Sequence, residues 1–383
     1  MHDPYNAFAD RDPAAHAGEG ALEGVTLGIK ANIAVKGLPW SAGMELYRHR
    51  IGERDALAVA QLRGAGAVIV GTLNMEEAAL GAKTDNPWFG PVQNPHRAGY
   101  SPGGSSCGSA AAVAAGLCEA ALGTDTMGSI RIPAAYCGVY GFKPAHAAIS
   151  QDGLELAEPS LDTIGPLARS LPMLERVARV ISRFGEGSDA ADGAATIAGL
   201  GGVECSPDVL TAFTAARATC ENRGEAALSH PLSRIRFAGF IKTARAMAAH
   251  FADADQAKLS PVLKKLLSYG PARSDADWLE DQRILSLAAA EVSAIVSAHG
   301  AIILPTAPQS AFPHSQPAPA NQADFTCIAN IAGLPAISIP AGRSADGLPI
   351  GVQLIGTAGQ EAGLFALASQ IDTALNAYFP PAP

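Results

Sequence analysis

The stretch PGGSSCGSAAAVAAG (102–116) is a loop of glycines and serines that runs directly into an alanine-rich helix. Glycines allow backbone conformations that other residues avoid, and the first turn of a helix leaves N–H groups unpaired. A flexible linker is the weaker interpretation, because strong helix-forming sequence follows at once. A phosphate-binding loop is also weaker, because no GxxxxGK[ST] pattern is present. Ser105, inside the loop, either caps the helix or takes part in chemistry.

The next informative stretch is GTDTMGSIRIPAAYCGVYGFKP (123–144), whose first residues favour a tight turn. Such a turn can aim consecutive backbone N–H groups at one point and stabilise the oxyanion of a tetrahedral intermediate. Ser129 stands at the end of the turn, so it is a candidate nucleophile. The alternative is that Ser129 caps the short helical turn after it.

A lysine precedes both serines, at the end of the apolar run VTLGIK (25–30). Lys30 is either exposed at the end of a strand or buried, and buried lysines are rare unless they are paired or used. Burial lowers the pKa of a lysine, and a neutral lysine can act as a general base. The three segments together favour the chemical interpretation of each residue. They predict a serine hydrolase whose base is a lysine.

Strand-like and helix-like stretches alternate around these segments, which predicts an α/β fold. Helices are predicted from Asn74, Ser106 and Gln360, and strands at the apolar runs 25–29, 67–72, 301–306, 336–340 and 350–356. With 48% hydrophobic and 16% charged residues, a large core is easily built. We expect one domain over 1–383, with a central mixed β-sheet flanked by helices on both faces. Segments 20–170 and 300–383 would build the sheet and catalytic segments, and 184–298 would be a mainly helical, variable insertion shaping the substrate pocket.

The overall composition excludes several classes of partner and cofactor. A formal net charge of −9, with no block of Lys and Arg, speaks against nucleic acid or an anionic membrane. The six cysteines form no CxxC pair and the nine histidines fall in no metal-binding spacing, which predicts reduced thiols and no metal. The N-terminus is polar and acidic, unlike a secretory signal. We expect a cytoplasmic protein that needs no cofactor.

Taken together, these motifs resemble those of the amidase signature hydrolases. The likeness covers nearly the whole chain and lies in GGSSCGS (103–109), GTDTMGSIRIP (123–133), CGVYGFKP (137–144), ISQDGLELAEPSLDTIGPLARS (149–170), ILPTAP (303–308), FTCIANIAGLPAISIPAG (325–342) and DGLPIGVQLIG (346–356). The stretch GTLNMEEAALGAKTDNPWFGPVQNPH (71–96) is similar to small members of the family such as 1-carboxybiuret, allophanate and indole-3-acetamide hydrolases.

The resemblance implies the amidase signature fold and a Ser–cisSer–Lys mechanism. Ser129 would attack the amide carbonyl and carry the acyl group. Ser105, joined to its predecessor by a cis peptide bond, would relay the proton. Lys30 would accept that proton as the base and return it to the leaving amine as the acid.

The resemblance also assigns neighbouring residues. The backbone N–H groups of Thr126, Met127, Gly128 and Ser129 would form the oxyanion hole. The loop 79–82 would face the acyl group, with the Ala79 carbonyl near the scissile amide. Residues expected to support the site without acting as acids or bases are Asp125, Arg131 and Cys107.

Three positions depart from the family pattern. Met127 stands where a glycine or small polar residue is frequent. Its N–H can still serve, and its side chain is expected either to narrow the pocket or to tilt the oxyanion hole. Ala31 replaces an acidic residue, and without that adjacent anion Lys30 should lose its proton more easily. Cys107 stands where Gly or Ser is usual, and we expect a packed residue at the start of a helix, with a nucleophile as the weaker interpretation.

The resemblance implies an amidase that hydrolyses the C–N bond of a small, neutral amide or ureide and releases ammonia or an amine. Family likeness favours a homodimer. Two alternatives remain open. One is a glutamine-hydrolysing component of a transamidation complex, similar to the amidase-like component of the glutamine amidotransferases. The other is a catalytically disabled scaffold on the same fold.

Overall fold

The computed structural model of this chain describes residues 2–81, 83–185, 187 and 193–382. The strands in these ranges are β1 (Phe8–Arg11), β2 (Thr26–Lys30), β3 (Val68–Leu73), β4 (Ala120–Asp125), β5 (Tyr140–Lys143), β6 (Thr163–Ala168), β7 (Gly193–Ile197), β8 (Glu221–Ala226), β9 (Ile302–Pro305), β10 (Ala336–Arg343) and β11 (Pro349–Ile355). The helices are α1 (Leu57–Gly64), α2 (Cys107–Ala114), α3 (Arg131–Tyr136), α4 (Leu171–Ile181), α5 (Pro207–Arg217), α6 (Leu232–His250), α7 (Pro261–Ala272), α8 (Asp275–His299), α9 (Cys327–Ile331) and α10 (Glu361–Leu375). None of these helices is long and apolar enough to cross a membrane.

All of these strands join one sheet in the order β1-β3-β2-β4-β6-β5-β10-β11-β9-β7-β8. Strands β3, β2 and β4 run parallel, whereas β4, β6, β5, β10, β11 and β9 pair antiparallel in succession. The two α/β ends of the chain meet where β5 pairs with β10. The predicted mixed sheet is therefore confirmed.

Alternating residues of the central strands face two different cores, as a pleated strand requires. In β2, Leu27 and Ile29 belong to the largest hydrophobic core, which also contains residues of α1, α4, α5 and α10. In β4, Ala121 faces the opposite side and packs with α2 and α3. Helices thus cover both faces of the sheet. Lys30 ends β2 and Asp125 ends β4, so both lie at the carboxyl edge of two adjacent parallel strands.

The described part of 184–298 contains α5, α6, α7 and all but the last residue of α8, and also two strands that were not predicted. Strand β7 pairs in parallel with β9, and β8 extends the sheet beyond it. The sequence of β8, ENRGEA, is largely exposed and carries no alternating apolar pattern, so nothing in it signals a strand. The role of 184–298 as a variable, pocket-shaping insertion stays a prediction.

The predicted helix from Asn74 is wrong. The chain there forms only a short 3-10 turn, Glu77–Ala79, followed by a loop. Ala78 and Ala79 have φ angles of 52° and 58°, in the left-handed region that alanine rarely adopts. The helices predicted from Ser106 and Gln360 are confirmed, since these residues occupy the N-cap positions of α2 and α10.

Candidate active site

Lys30 ends strand β2 with its side chain fully buried. Its Nζ donates to Ser105 Oγ at 2.7 Å and to Thr124 Oγ1 at 2.7 Å. Thr124 also accepts from Asn32 Nδ2 at 3.2 Å. The structure therefore brings Lys30 and Ser105 into direct contact, although 74 residues lie between them. Sequence reasoning missed Thr124, although it stands inside the GTD triplet directly before Asp125.

The environment of Lys30 favours its neutral form. Burial lowers the pKa of the lysine from 10.5 to about 7 and outweighs the opposing influence of Cys107, Asp162, Asp125 and Glu76. Desolvation disfavours an ammonium because water can no longer solvate the charge. Ala31 is buried and uncharged, so no anion follows the lysine directly. A larger share of Lys30 is therefore neutral near pH 7 than of an exposed lysine, and the neutral form can accept a proton.

Ser105 lies in the loop before α2, and the peptide bond between Gly104 and Ser105 is cis, as the resemblance predicts. The next residue, Ser106, ties this loop to β4. Its hydroxyl donates to the Thr124 carbonyl at 3.1 Å and accepts from the Thr124 N–H at 3.2 Å. Its N–H donates to the Ser129 carbonyl at 3.2 Å. The loops of Ser105 and Ser129 therefore lie side by side.

The turn that carries Ser129 is built around the carboxylate of Asp125. This carboxylate accepts from the N–H groups of Gly128 at 2.7 Å and Ile130 at 3.1 Å. It also pairs with the fully buried guanidinium of Arg131, at 3.1 Å from Nε and 3.0 Å from Nη2. Burial alone would raise the pKa of Asp125, but the charge and hydrogen bonds of Arg131 outweigh it and lower the pKa to about 2.

The predicted oxyanion donors fall into two groups. The N–H groups of Thr126, Met127 and Ser129 donate to no other group in the described part of the chain, and all three residues line the same cavity. The prediction that Gly128 is an oxyanion donor is corrected, because its N–H already donates to Asp125. Gly128 has a φ angle of 135°, and its N–H points towards the carboxylate that holds the turn.

Met127 is half-buried and packs against α6. A Cβ built on Gly239 would lie 3.0 Å from Met127 Sδ, so the helix approaches the methionine closely. The Met127 carbonyl accepts from Thr326 Oγ1 at 2.6 Å. This bond fixes the orientation of the peptide plane next to the nucleophile turn. The side chain thus forms part of the cavity wall, as expected from its size.

The predicted acyl-facing loop also borders the cavity, through Ala79, Leu80 and Gly81. Ala82, the last residue of that loop, lies outside the described residues. Glu76 stabilises the loop, because its buried carboxylate accepts a hydrogen bond from the Thr84 N–H. Its left-handed alanines cost free energy that such tertiary contacts must offset.

The cavity has a volume of about 270 Å³ and opens beside Ser129. Gly104 of the Ser105 loop lines it, whereas Ser105 itself is fully buried behind the wall. Cys107 is also buried, with Sγ 3.6 Å from the Asn74 carbonyl, and burial raises its thiol pKa well above the ordinary value. A thiol in that state is a poor nucleophile, so the expectation of a packed residue fits the geometry.

Comparisons with known proteins identify the family of this chain. The family model described as Amidase matches residues 6–365. This chain belongs to the amidase signature family. A glutamyl-tRNA(Gln) amidotransferase subunit of Synechococcus sp. (strain CC9311) is 34% identical over 433 residues, covering 97% of this chain and 88% of the relative.

Two solved structures share the fold over nearly the whole chain. One, an inhibitor-bound vestigial protein complex that reveals the evolutionary origins of an s-triazine catabolic enzyme, has a TM-score of 0.90 at 26% identity and covers 99% of this chain and 93% of that one. The other, an amidase, has a TM-score of 0.86 at 28% identity, with coverages of 97% and 92%. The family and these neighbours make this chain a hydrolase that acts on carbon–nitrogen bonds.

Proposed function

We propose that this amidase hydrolyses a small amide or ureide through an acyl-enzyme on Ser129, with Ser105 and Lys30 as the proton relay. The observation that carries the proposal is the buried 2.7 Å contact between Lys30 Nζ and Ser105 Oγ, at a lysine whose pKa is lowered to about 7. A neutral amine in hydrogen-bond contact with a hydroxyl can take its proton, which is the requirement for a general base.

In this mechanism Ser129 Oγ attacks the amide carbon while its proton passes to Ser105 Oγ, and the proton of Ser105 passes to Lys30 Nζ. The proton then returns by the same route to the leaving nitrogen, and the C–N bond breaks. The free N–H groups of Thr126, Met127 and Ser129 are the donors available to the oxyanion. A water molecule releases the acyl group by the same steps.

The test is ammonia or amine release from a panel of aliphatic amides, aryl amides, ureides and glutamine. We expect turnover of one class by the native enzyme. Ser129→Ala should abolish turnover, and Lys30→Met should slow it by about 10²–10⁴-fold, the usual contribution of a general base. Ser286→Ala, an exposed serine on α8, is the matched control and should keep full activity. Turnover that survives in Ser129→Ala would rule out the proposed nucleophile.

The second candidate function is the glutamine-hydrolysing component of a transamidation complex. The observation in its favour is the 34% identity, over 97% of this chain, to the Synechococcus amidotransferase subunit. It predicts that glutamine is the preferred substrate of the panel. It also predicts that partner proteins co-purify with the chain when it is isolated from its own cells at low salt. Efficient turnover of neutral amides by the isolated chain, without glutamine hydrolysis, would contradict it.

A further inference from the structure

A buried carboxylate that was not predicted as a site residue contacts the nucleophile turn. Asp162 stands directly before β6, and only 3% of its surface is exposed. One of its carboxylate oxygens accepts from Thr126 Oγ1 at 2.6 Å. The other accepts from the N–H groups of Ala157 at 2.7 Å and Glu158 at 3.0 Å. Asp162 therefore ties the segment 157–162 to the first residue of the turn.

Asp162 differs from the other acid of the turn in having no cationic partner. Asp125 pairs with Arg131, whereas Asp162 forms no ion pair in the part of the chain that the structure describes. Burial raises the pKa of Asp162 to about 6, although its hydrogen bonds act in the opposite direction. A buried anion without a cation is costly, and perturbed groups of this kind are concentrated at functional sites. Asp162 is therefore a candidate functional residue.

The contact between Asp162 and Thr126 bears on one of the oxyanion donors. The Met127 N–H belongs to the peptide unit that joins Thr126 to Met127. The carbonyl of this unit, that of Thr126, accepts no hydrogen bond among the described residues. The unit is therefore held through its two ends, where the Met127 carbonyl accepts from Thr326 and the Thr126 hydroxyl donates to Asp162. Backbone donors stabilise an oxyanion strongly when they are oriented in advance, so Asp162 bears on the Met127 N–H.

The preceding peptide unit, which carries the Thr126 N–H, is held in a different way. Its carbonyl, that of Asp125, accepts from Asn330 Nδ2 at 3.0 Å and from Thr163 Oγ1 at 3.3 Å. These hydrogen bonds fix the orientation of the Thr126 N–H directly. The Met127 N–H is thus the donor that depends on the contact with Asp162.

The charge of Asp162 also acts on the base. Four groups raise the pKa of Lys30 against the effect of burial, namely Cys107, Asp162, Asp125 and Glu76. Cys107 is a neutral thiol, and Asp125 already has a cationic partner. Glu76 keeps its proton to higher pH than Asp162, because burial raises the pKa of Glu76 to about 7. Asp162 is therefore the most fully ionised of these groups that lacks a cation, and it favours the ammonium form of Lys30.

We propose that Asp162 is a positioning residue of the hydrolytic reaction. Through the Thr126 hydroxyl it orients the Met127 N–H towards the oxyanion, and its negative charge stabilises the ammonium that forms when Lys30 accepts the proton. This inference rests on the proposed function, because it takes Ser129 as the nucleophile and Lys30 as the base. Asp162 is not among the residues that line the cavity, so it acts through the turn and the base rather than on the substrate.

The rate at which Ser129 is phosphonylated tests this inference without a known substrate. The probe is ethyl octylphosphonofluoridate. The oxygen of Ser129 bonds to its phosphorus, fluoride leaves, and the phosphoryl oxygen takes the place of the oxyanion. Labelling is followed by mass spectrometry of the intact protein at about pH 8.5, where Lys30 is mainly neutral. Asp162→Asn and Thr126→Val should each lower the second-order rate constant by about ten- to hundredfold, because a misplaced donor is costly.

Two comparisons separate positioning from a general loss of structure. The double variant Asp162→Asn/Thr126→Val should lose no more than the more severe single variant, because both changes remove the same contact. Thr126→Ser keeps the hydroxyl and should recover most of the rate that Thr126→Val loses. Asp346→Asn, at an exposed aspartate between β10 and β11, is the matched control and should label at the native rate.

The pH dependence of labelling separates the two actions of Asp162. Asp162→Asn removes an anion that acts on Lys30, so the rise in rate with pH should move to lower pH. Thr126→Val removes no charge and should leave the midpoint of this rise in place. A purely structural role of Asp162 would not produce this difference between the two variants.

A native rate in either Asp162→Asn or Thr126→Val would overturn the positioning role. Losses that multiply in the double variant would do the same, because independent effects combine in that way. A midpoint that stays in place in Asp162→Asn would overturn the role of its charge. The proposed function fails by a different result, namely labelling that persists in Ser129→Ala. A native enzyme that is labelled at Ser129, with unchanged rates in the variants, would refute this inference alone.

Discussion

Replacing Lys30 with methionine should stabilise the folded protein below neutral pH while slowing its turnover. The lysine is fully buried, and burial lowers its pKa from 10.5 to about 7. Below this pH the folded protein must hold an ammonium where water cannot solvate it. Each pKa unit corresponds to about 1.4 kcal/mol, so the full penalty is on the order of 5 kcal/mol.

The penalty depends on pH with a defined sign. Between the folded pKa of about 7 and the unfolded value of 10.5, the unfolded chain binds more protons than the folded one. The free energy of unfolding of the native enzyme therefore rises with pH in this window, as Lys30 becomes neutral in both states. The penalty is complete below the window and absent above it. Methionine has no titrating group and removes this dependence.

The substitution also removes two hydrogen bonds, from Lys30 Nζ to Ser105 and to Thr124, each 2.7 Å long. At about 1 kcal/mol each, they offset part of the gain. The variant should then be more stable than the native enzyme by about 3 kcal/mol below pH 7 and less stable by about 2 kcal/mol above pH 10.5. The difference in stability should change sign within the window.

The assay is urea unfolding, followed by tryptophan fluorescence, at a series of pH values from about 6 to about 10.5. Lys258→Met removes an exposed lysine and is the control, which should keep the pH dependence of the native enzyme. A stability difference between Lys30→Met and the native enzyme that stays constant across the series would refute the reasoning. So would a loss of stability in Lys30→Met at the lowest pH.

Two further predictions concern other buried charges. Lys143 is also fully buried, and burial lowers its pKa to about 7. Lys143→Met should nevertheless keep the rise of kcat/KM with pH around 7, because Lys30 is the residue that accepts the proton. Loss of that rise would assign the titration to Lys143. Arg131→Met leaves the carboxylate of Asp125 buried and uncompensated, so it should lower the free energy of unfolding by about 3–5 kcal/mol. Arg54→Met, at an exposed ion pair, is the control and should leave the free energy of unfolding nearly unchanged. An equal loss of unfolding free energy in the two arginine variants would contradict the argument.

The components of the candidate site are visible in the sequence because they lie in short local motifs. A lysine ending an apolar run, a glycine–serine loop before a helix and a GTD turn are each visible within a few residues. Their convergence also follows from topology, since Lys30 and Asp125 end adjacent parallel strands. What local pattern does not give is the partner of each group. The local pattern did not reveal that Thr124 accepts the second hydrogen bond of Lys30. It also did not reveal that the Gly128 N–H donates to the Asp125 carboxylate.

The loop after Asn74 shows why the remaining structure could not be predicted. Its sequence, NMEEAALGAK, has strong helix formers, and local propensity alone favours a helix. The structure instead places Ala78 and Ala79 in left-handed conformations. Contacts from outside the loop impose them, since the Ala78 N–H donates to the Ala42 carbonyl and the Glu77 carboxylate accepts from Trp88 Nε1. Tertiary contacts override propensity where the chain borders the cavity.

The C-terminal segment contributes none of the proposed catalytic side chains, yet the nucleophile turn depends on it. Asn330 of α9 donates to the carboxylate of Asp125 at 2.9 Å and accepts from Arg131 at 2.6 Å. Gln353 of β11 accepts from the other terminal nitrogen of Arg131 at 2.8 Å. Because all of these groups are buried, each unpaired partner would carry a desolvation cost, so the network favours a single arrangement. The position of Ser129 is therefore set by side chains about two hundred residues away, within the residues 6–365 that the family model matches.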